Sequence, residues 1–248
     1  MNYNKVEKIL NENHCDLITL KSTSTTMDEA KKNINQAKSN FVIIADQQTA
    51  GRGRRGNNWI SPPGNIYLSI VLKNFLPINQ HYLFSVITLL SIKKTINNFG
   101  GDHIYFKWPN DIFFQKKKFG GVLIENIYQD SENQFMIIGI GINLLSSPKV
   151  KNYDTTFIKQ FINIENNLIF LEYFFINFFN YFKNYENEKK QLLLEFKKSL
   201  MFLNEKISIQ IDNNQNVTGI FKDINQEGGL ILDNEDEITH IYSGNILI

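Results

Sequence analysis

The sequence predicts an α/β (α+β) fold in two parts, a larger domain over residues 1–203 and a small β-barrel over residues 204–248. Three observations predict it. Compact apolar strands such as FVIIA (41–45), IYLSIVL (66–72) and FMIIGIGI (135–142) alternate with segments of helical spacing. The spacing at Tyr82–Phe99, with apolar residues at 83, 84, 86, 87, 90, 92, 96 and 99, marks a helix. From about Glu205 the pattern changes to short alternating strands separated by turns, as in a small barrel.

Taken in order, Asp28–Lys38 reads as a short helix, with Thr25 or Thr26 available as its cap. FVIIA then leads into a glycine-arginine loop, and Ser61-Pro62-Pro63-Gly64-Asn65 turns the chain into the strand Ile66–Leu72. Ile104–Lys107 and Ile112–Phe114 flank Trp108-Pro109-Asn110-Asp111 as a hairpin. Lys116-Lys117-Lys118 reads as a tight turn before the strand Gly120–Glu125. Residues 168–203 read as two helices. The barrel strands are expected at 207–211, 217–224, 230–232, 238–242 and 246–248, with turns at Asn213-Asn214, Glu227-Gly228-Gly229 and Asp233-Asn234-Glu235-Asp236.

Composition narrows the function. The 248 residues, 42% of them hydrophobic, suffice for a real core. A formal charge of +1 argues against a general polyanion binder, so any phosphate site must be local. The single cysteine, Cys15, excludes an internal disulfide framework and fits a reducing compartment. The four histidines lack ligand-like spacing, so no metal site is expected. The N-terminus has no apolar run like that of a signal peptide, and LIFLEYFFINFFNYF (168–182) falls short of the ~20 residues that span a bilayer. A cytoplasmic protein without membrane partners is expected.

The segment QQTAGRGRRGNNW (47–59) is where charge concentrates: three glycines and three arginines occupy residues 51–56. The glycines free the backbone to turn its N–H groups inward around an anion. Arg52 and Arg54 add planar, permanently charged forks that suit carboxylate and phosphate. Gly51, Gly53 and Gly56 match G-x-G-x-x-G, but no helix pattern follows, so a dinucleotide fold is rejected. Ordering six residues costs roughly 6–12 kcal/mol. Three or four charge-assisted hydrogen bonds, each about 1.5–3 kcal/mol, offset that cost. A lid that orders over an anionic ligand is the expectation.

Three further motifs specify the anion. Lys107-Trp108-Pro109-Asn110-Asp111 is followed by Lys118, then Gly120-Gly121-Val122-Leu123-Ile124-Glu125, and later by Gly139-Ile140-Gly141-Ile142-Asn143. With the glycine-arginine loop and SPPGNIYLSI, in this order, the set closely resembles the biotin–protein ligases (biotin–[acetyl-CoA-carboxylase] ligases) from about Thr25 to Asn143. Gly219, Gly228-Gly229 and Gly244-Asn245-Ile246 resemble that family's small terminal domain more weakly.

The resemblance implies a mixed β-sheet catalytic domain of the class II aminoacyl-tRNA synthetase/biotin ligase type, plus a C-terminal SH3-like barrel. It implies formation of biotinyl-5′-AMP from biotin and Mg·ATP, then transfer to a lysine of the biotin carboxyl carrier protein. By similarity Gln48, Arg52, Gly53 and Arg54 contact biotin and shield the adenylate, and Lys118 holds the biotin carboxylate and later the acyl phosphate. Lys118, Arg54 and Asp111 are the expected catalytic residues; Asp111 would orient the acceptor ammonium and take its proton. Thr25, Thr26 and Met27 stand where members carry Ser-Thr-Asn against the biotin ring, although Met27 cannot form an amide hydrogen bond. Arg52, Asn110, Lys118 and Asn143 are expected at ATP or the adenylate; the adenine-stacking residue is not apparent. Trp59 reads equally as the anchor of the lid or as part of the site. About 25 residues precede the biotin motif, too few for the DNA-binding domain of repressor-type members, so no DNA partner is expected. The alternatives are a lipoate–protein ligase or octanoyltransferase of the same fold, and a nucleic-acid-binding module.

Overall fold

The computed structural model describes residues 2–37, 39–73, 80–128, 134–151, 153–211, 215–234 and 237–247. The chain opens with α1 (Asn4–Asn11), β1 (Cys15–Leu20), α2 (Thr26–Asn33), β2 (Asn40–Ala45) and β3 (Ile66–Lys73). It continues through α3 (Tyr82–Asn98), β4 (Ile104–Lys107), β5 (Asp111–Phe114), β6 (Lys117–Tyr128) and β7 (Gln134–Ile142). The long helix α4 (Asn167–Lys198) then leads to β8 (Lys206–Gln210), β9 (Asn216–Ile224), β10 (Leu230–Asp233), β11 (Ile238–Ile241) and β12 (Asn245–Ile246).

The first seven strands form one mixed sheet in the order β1-β2-β3-β7-β6-β5-β4, with β1–β2 parallel and the other pairs antiparallel. The last five form an antiparallel sheet, β11-β10-β9-β8-β12. The expected α/β class and mixed sheet are therefore present.

Alternation decides which face each strand buries. Val42, Ile44, Ile70, Leu72, Met136 and Ile138 face a large core shared with α3, α4 and the C-terminal sheet. Phe41, Ile43, Val71 and Ile137 point the other way, against Met27, Ala30 and Ile34 around α2. Helix α3 is buried along most of its length, which explains its apolar residues on nearly every side. Phe174, Phe175, Phe178 and Phe179 of α4 are buried as well.

Several expectations need correction. Residues 168–203 form a single helix to Lys198 followed by turns, because the polar stretch Lys183–Gln191 holds no Gly or Pro and continues as a mostly exposed part of the helix. Lys117 and Lys118 are the first residues of β6, so the tight turn lies before them. Helix α1 and strand β1 occupy a region for which periodicity gave no element; they bury Val6, Leu10 and Cys15. Lys38, Asn213-Asn214, Glu235-Asp236 and Ile248, placed at a helix end, two turns and a strand end by the sequence, lie outside the described residues.

The C-terminal sheet and its turns meet the rest of the chain through named contacts. The Trp108 indole, 1% exposed, donates to the Gly228 carbonyl at 2.9 Å. Gly228 has φ +86° and leaves no room for a Cβ, which would lie 2.2 Å from the Tyr82 ring. Lys197 pairs with Asp223 at 2.7 Å.

Candidate active site

Sheet register assembles the site. Tyr67 pairs with Gly141, Gly141 with Gly121, Gly121 with Asp111 and Asp111 with Lys107. These five residues form one row across β3, β7, β6, β5 and β4, on the face that carries α2. Two glycines thin the middle of the row, while a carboxylate and an ammonium occupy its far end. A cavity of about 930 Å³ lies over this floor.

Lys118 reaches the same floor by a backbone irregularity. Phe113 pairs with Lys118 but Asp111 with Gly121, so a β-bulge adds one residue to β6 between the two pairs. Strict alternation would send residues 118 and 121 to opposite faces; the extra residue returns Lys118 to the face of Asp111. Its Nζ then lies 2.7 Å from Asp111 Oδ1, 5.5 Å from the Trp59 ring centroid and 5.1 Å from that of Tyr153. Arg54, half-buried on the lid above, has its pKa lowered by burial, with Asp111 acting in the opposite sense and Arg55 in the same.

The start of α2 closes another side. Thr25 caps the helix, accepting from Met27 N at 3.3 Å. Thr26 donates through its N–H and its hydroxyl to Gln48 Oε1, at 2.9 and 3.3 Å, and accepts from Ser69 Oγ at 2.8 Å. Gln48 Nε2 donates to Ser61 Oγ at 2.9 Å, and Ser61 Oγ to the Trp59 carbonyl at 2.9 Å. Gln48 thus ties the first turn of α2 to both ends of the glycine-arginine loop. Met27 is buried with its sulfur where a Cβ on Gly139 would collide, 2.6 Å away.

The loop crosses above. Gly51 is enclosed by the Trp59 carbonyl, Ser61 Oγ and Gln48 Nε2, all within 2.8 Å of where a Cβ would stand. Trp59 N donates to Gly51 O at 2.8 Å and Gly53 N to Asn57 O at 2.7 Å, so the loop doubles back on itself. Arg52 pairs with Asp28 at 2.5 Å. Arg55, in the left-handed region at φ 55°, turns outward and donates to the Gln210 and Ile211 carbonyls and the Ser243 hydroxyl of the C-terminal sheet.

Thr25, Thr26, Met27, Gln48, Arg52, Gly53, Arg54, Asn110, Asp111 and Lys118 all line the cavity. Asn110 has its amide committed, donating to Val122 O at 2.5 Å. Asn143 is set apart: it is 2% exposed, donates to Thr156 O at 3.2 Å and lines a small neighbouring cavity behind Trp59. Trp59 answers to both sequence alternatives. Its ring lies against Gly141, with Nε1 2.5 Å from where a Cβ would be, and it also lines the main cavity.

The sequence reading assigned no role to Lys107, Tyr153, Arg55 or the C-terminal residues Gly244–Leu247 that border the cavity. Lys107 was visible inside KWPND, Arg55 inside the glycine-arginine loop and Gly244-Asn245-Ile246 in the terminal-domain resemblance; Tyr153 carries no local signal. Lys107 is 7% exposed, and burial pulls its pKa from 10.5 down to about 8, opposed by Asp111 and assisted by Lys118. The unfolded chain therefore binds the extra proton between pH 8 and 10.5, and stability should rise with pH through that window. Below pH 8 the cost of the buried charge is complete. Lys107→Met is expected to stabilise the fold at pH 7 by about 1–3 kcal/mol, with the gain fading by pH 10. Urea unfolding at the two pH values checks this; a loss of stability at pH 7 would contradict it.

Residues 17–143 match the family described as Biotin/lipoate A/B protein ligase, and residues 202–248 match Biotin protein ligase C terminal domain. The "Bifunctional ligase/repressor BirA" of Bacillus subtilis is 34% identical over 130 residues, covering 52% of this chain and 39% of that protein. The chain thus covers well under two thirds of this relative's length. The "Biotin--[acetyl-CoA-carboxylase] ligase" of Mycobacterium tuberculosis is 24% identical over 219 residues, 83% of this chain and 78% of the relative. A solved biotin protein ligase from Aquifex aeolicus, in complex with biotin and ATP, superposes with a TM-score of 0.76 at 25% identity, covering 93% of this chain and 97% of that one.

Proposed function

Because the chain belongs to the biotin/lipoate A/B protein ligase family, we propose that it is an ATP-dependent biotin–protein ligase. It forms biotinyl-5′-AMP and then transfers biotin to a lysine of the biotin carboxyl carrier protein. The observation that carries this reading is the Lys118–Asp111 pair at 2.7 Å, on a glycine-thinned floor beneath a loop bearing Arg52 and Arg54. Between biotin and lipoate, the match of residues 202–248 to a biotin ligase C-terminal domain favours biotin.

In the first step the biotin carboxylate attacks the α-phosphate of ATP and pyrophosphate leaves. Bringing these anions together requires fixed positive charge more than a protein nucleophile. Lys118 supplies it from the floor, and Arg54 from above. Gly141 and Gly121 let the ligand approach the sheet backbone closely. Gln48, Thr25, Thr26 and Met27 define the biotin end, with Met27 contributing packing where an amide would have contributed a hydrogen bond. Gly53 lets the loop bend over the product, and Arg52 and Asn110 border its nucleotide part. Mg2+ enters with ATP; among the described residues no group of three or more His, Cys, Asp or Glu could hold a metal ion. Asn143 acts indirectly, supporting the wall behind Trp59. No helix among the described residues is long and apolar enough to cross a membrane, and the reading puts the enzyme with ATP and its acceptor in the cytoplasm.

Incubation with ATP and either biotin or lipoate tests the reading. Biotinyl-AMP and labelled carrier domain are expected from biotin. Adenylate from lipoate with none from biotin would establish the lipoate alternative, and binding of nucleic acid that weakens steeply with salt, without adenylation, would establish the other.

A further inference from the structure

We propose that Lys107 accepts the proton of the acceptor lysine in the transfer step, while Asp111 serves to hold Lys118. The proposal rests on the ligase reading above. Lys118 and Asp111 are engaged with each other at 2.7 Å, and the Lys118 ammonium also lies over the Trp59 and Tyr153 rings. Lys107 stands next to Asp111 in the same cross-strand row, lines the same cavity and is 7% exposed, yet no hydrogen bond or salt bridge among the described residues engages its ammonium. A buried amine left unpaired at the floor of a reaction cavity is available to carry a proton.

Geometry favours it over the Asp111 carboxylate, which Lys118 already engages. An acceptor lysine in water, with a pKa near 10.4, is neutral about once in a few thousand molecules at pH 7. Lys107, drawn down to about 8 by burial, is neutral in roughly a tenth of molecules at pH 7. The charged and titratable groups that line the cavity with it are Asp111 from β5, Lys118 from β6, Arg52, Arg54 and Arg55 from the loop, and Lys151 and Tyr153 from the segment after β7. Among the described residues, those of the C-terminal part that line the cavity, Gln210 and Asn245 included, are uncharged.

The step balances. The acceptor ammonium gives one proton to the neutral Lys107 amine, and the freed amine attacks the acyl carbon of biotinyl-AMP. A C–N bond forms, and the acyl C–O bond to phosphate breaks with its electron pair remaining on AMP. The second nitrogen proton leaves with the AMP phosphate, and Lys107 returns its proton to solvent.

The test supplies purified biotinyl-AMP and carrier domain to the full chain, alongside a separate assay of adenylate formation from biotin and ATP. Lys107→Arg keeps the charge but cannot lose its proton at working pH, and Lys107→Gln removes both. In both variants transfer at pH 7.5 is expected to fall about 100-fold, at least tenfold more than adenylate formation, and to converge on the unmutated rate towards pH 10. Measurable adenylate formation shows that a variant is folded. Transfer by Lys107→Arg within threefold of the unmutated protein would mean that only charge matters and would overturn the proposal. Equal losses in both half-reactions, or a deficit independent of pH, would overturn it as well. An unmutated protein that transfers nothing from biotinyl-AMP would instead defeat the ligase reading, and the proposal with it.

Discussion

Replacing Lys118 with alanine is expected to slow biotin-dependent adenylate formation by about 100- to 1,000-fold, the usual cost of removing a preorganised group from developing charge. The structure gives the reason in local terms. The Lys118 ammonium is held by Asp111 and by two aromatic faces before any ligand arrives, so little reorganisation is needed when biotin and ATP bind. Pyrophosphate exchange into ATP in the presence of biotin measures the step. Lys118→Arg should recover part of the rate, since a cation remains, but its planar fork cannot reproduce a point charge between Asp111 and the Trp59 ring. A less than threefold effect of Lys118→Ala would remove Lys118 from the chemistry. Lys116, in the exposed turn before β6, and Lys117, paired with Phe114 and exposed at its start, are not expected to substitute for it.

Arg54→Gly should release the intermediate. Arg54 is the half-buried arginine of the loop, whereas Arg52 is paired with Asp28 and Arg55 with the C-terminal sheet. One or two charge-assisted hydrogen bonds at about 1.5–3 kcal/mol each correspond to at least tenfold faster loss of biotinyl-AMP. Free biotinyl-AMP acylates lysines indiscriminately, so labelling of an unrelated bystander protein is the readout. Retention of the intermediate at the unmutated rate would exclude this role. Because Arg52 and Arg55 remain attached to α2 and the C-terminal sheet, the loop in this variant should keep its course while losing its grip on the ligand.

The two effects concern different moments of one cycle. In the proposed cycle Lys118 acts while charge develops on the phosphate, and Arg54 while the mixed anhydride waits for its acceptor. Arg55 connects the second moment to the C-terminal part, since its bonds to Gln210 and Ile211 link the loop to residues that border the cavity. That link spans some 155 residues of sequence, and nothing local in RRG announces it.

Much of this protein was determined by its sequence alone. The fold class followed from periodicity, because burial on one side of a strand or helix imprints a repeat of 2 or 3.6 residues. The candidate site was read from ordered motifs, and ten of its eleven expected residues line one cavity. Where the polar stretch of α4 lacked a breaker, composition alone could not say that the helix continued. The family resemblance singled out Lys118 among three adjacent lysines, and tertiary structure supplied the reason. A bulge that skips Phe119 turns Lys118, and not its neighbour, towards Asp111. Tertiary structure also decided that Lys107, with no hydrogen bond or salt bridge among the described residues, lies beside them, that Asn143 sits behind Trp59, and that Trp59 both packs on Gly141 and lines the cavity. The physical reason is shared: strand register and pairing across a sheet set which side chains meet, and those are relations between segments that no single segment encodes.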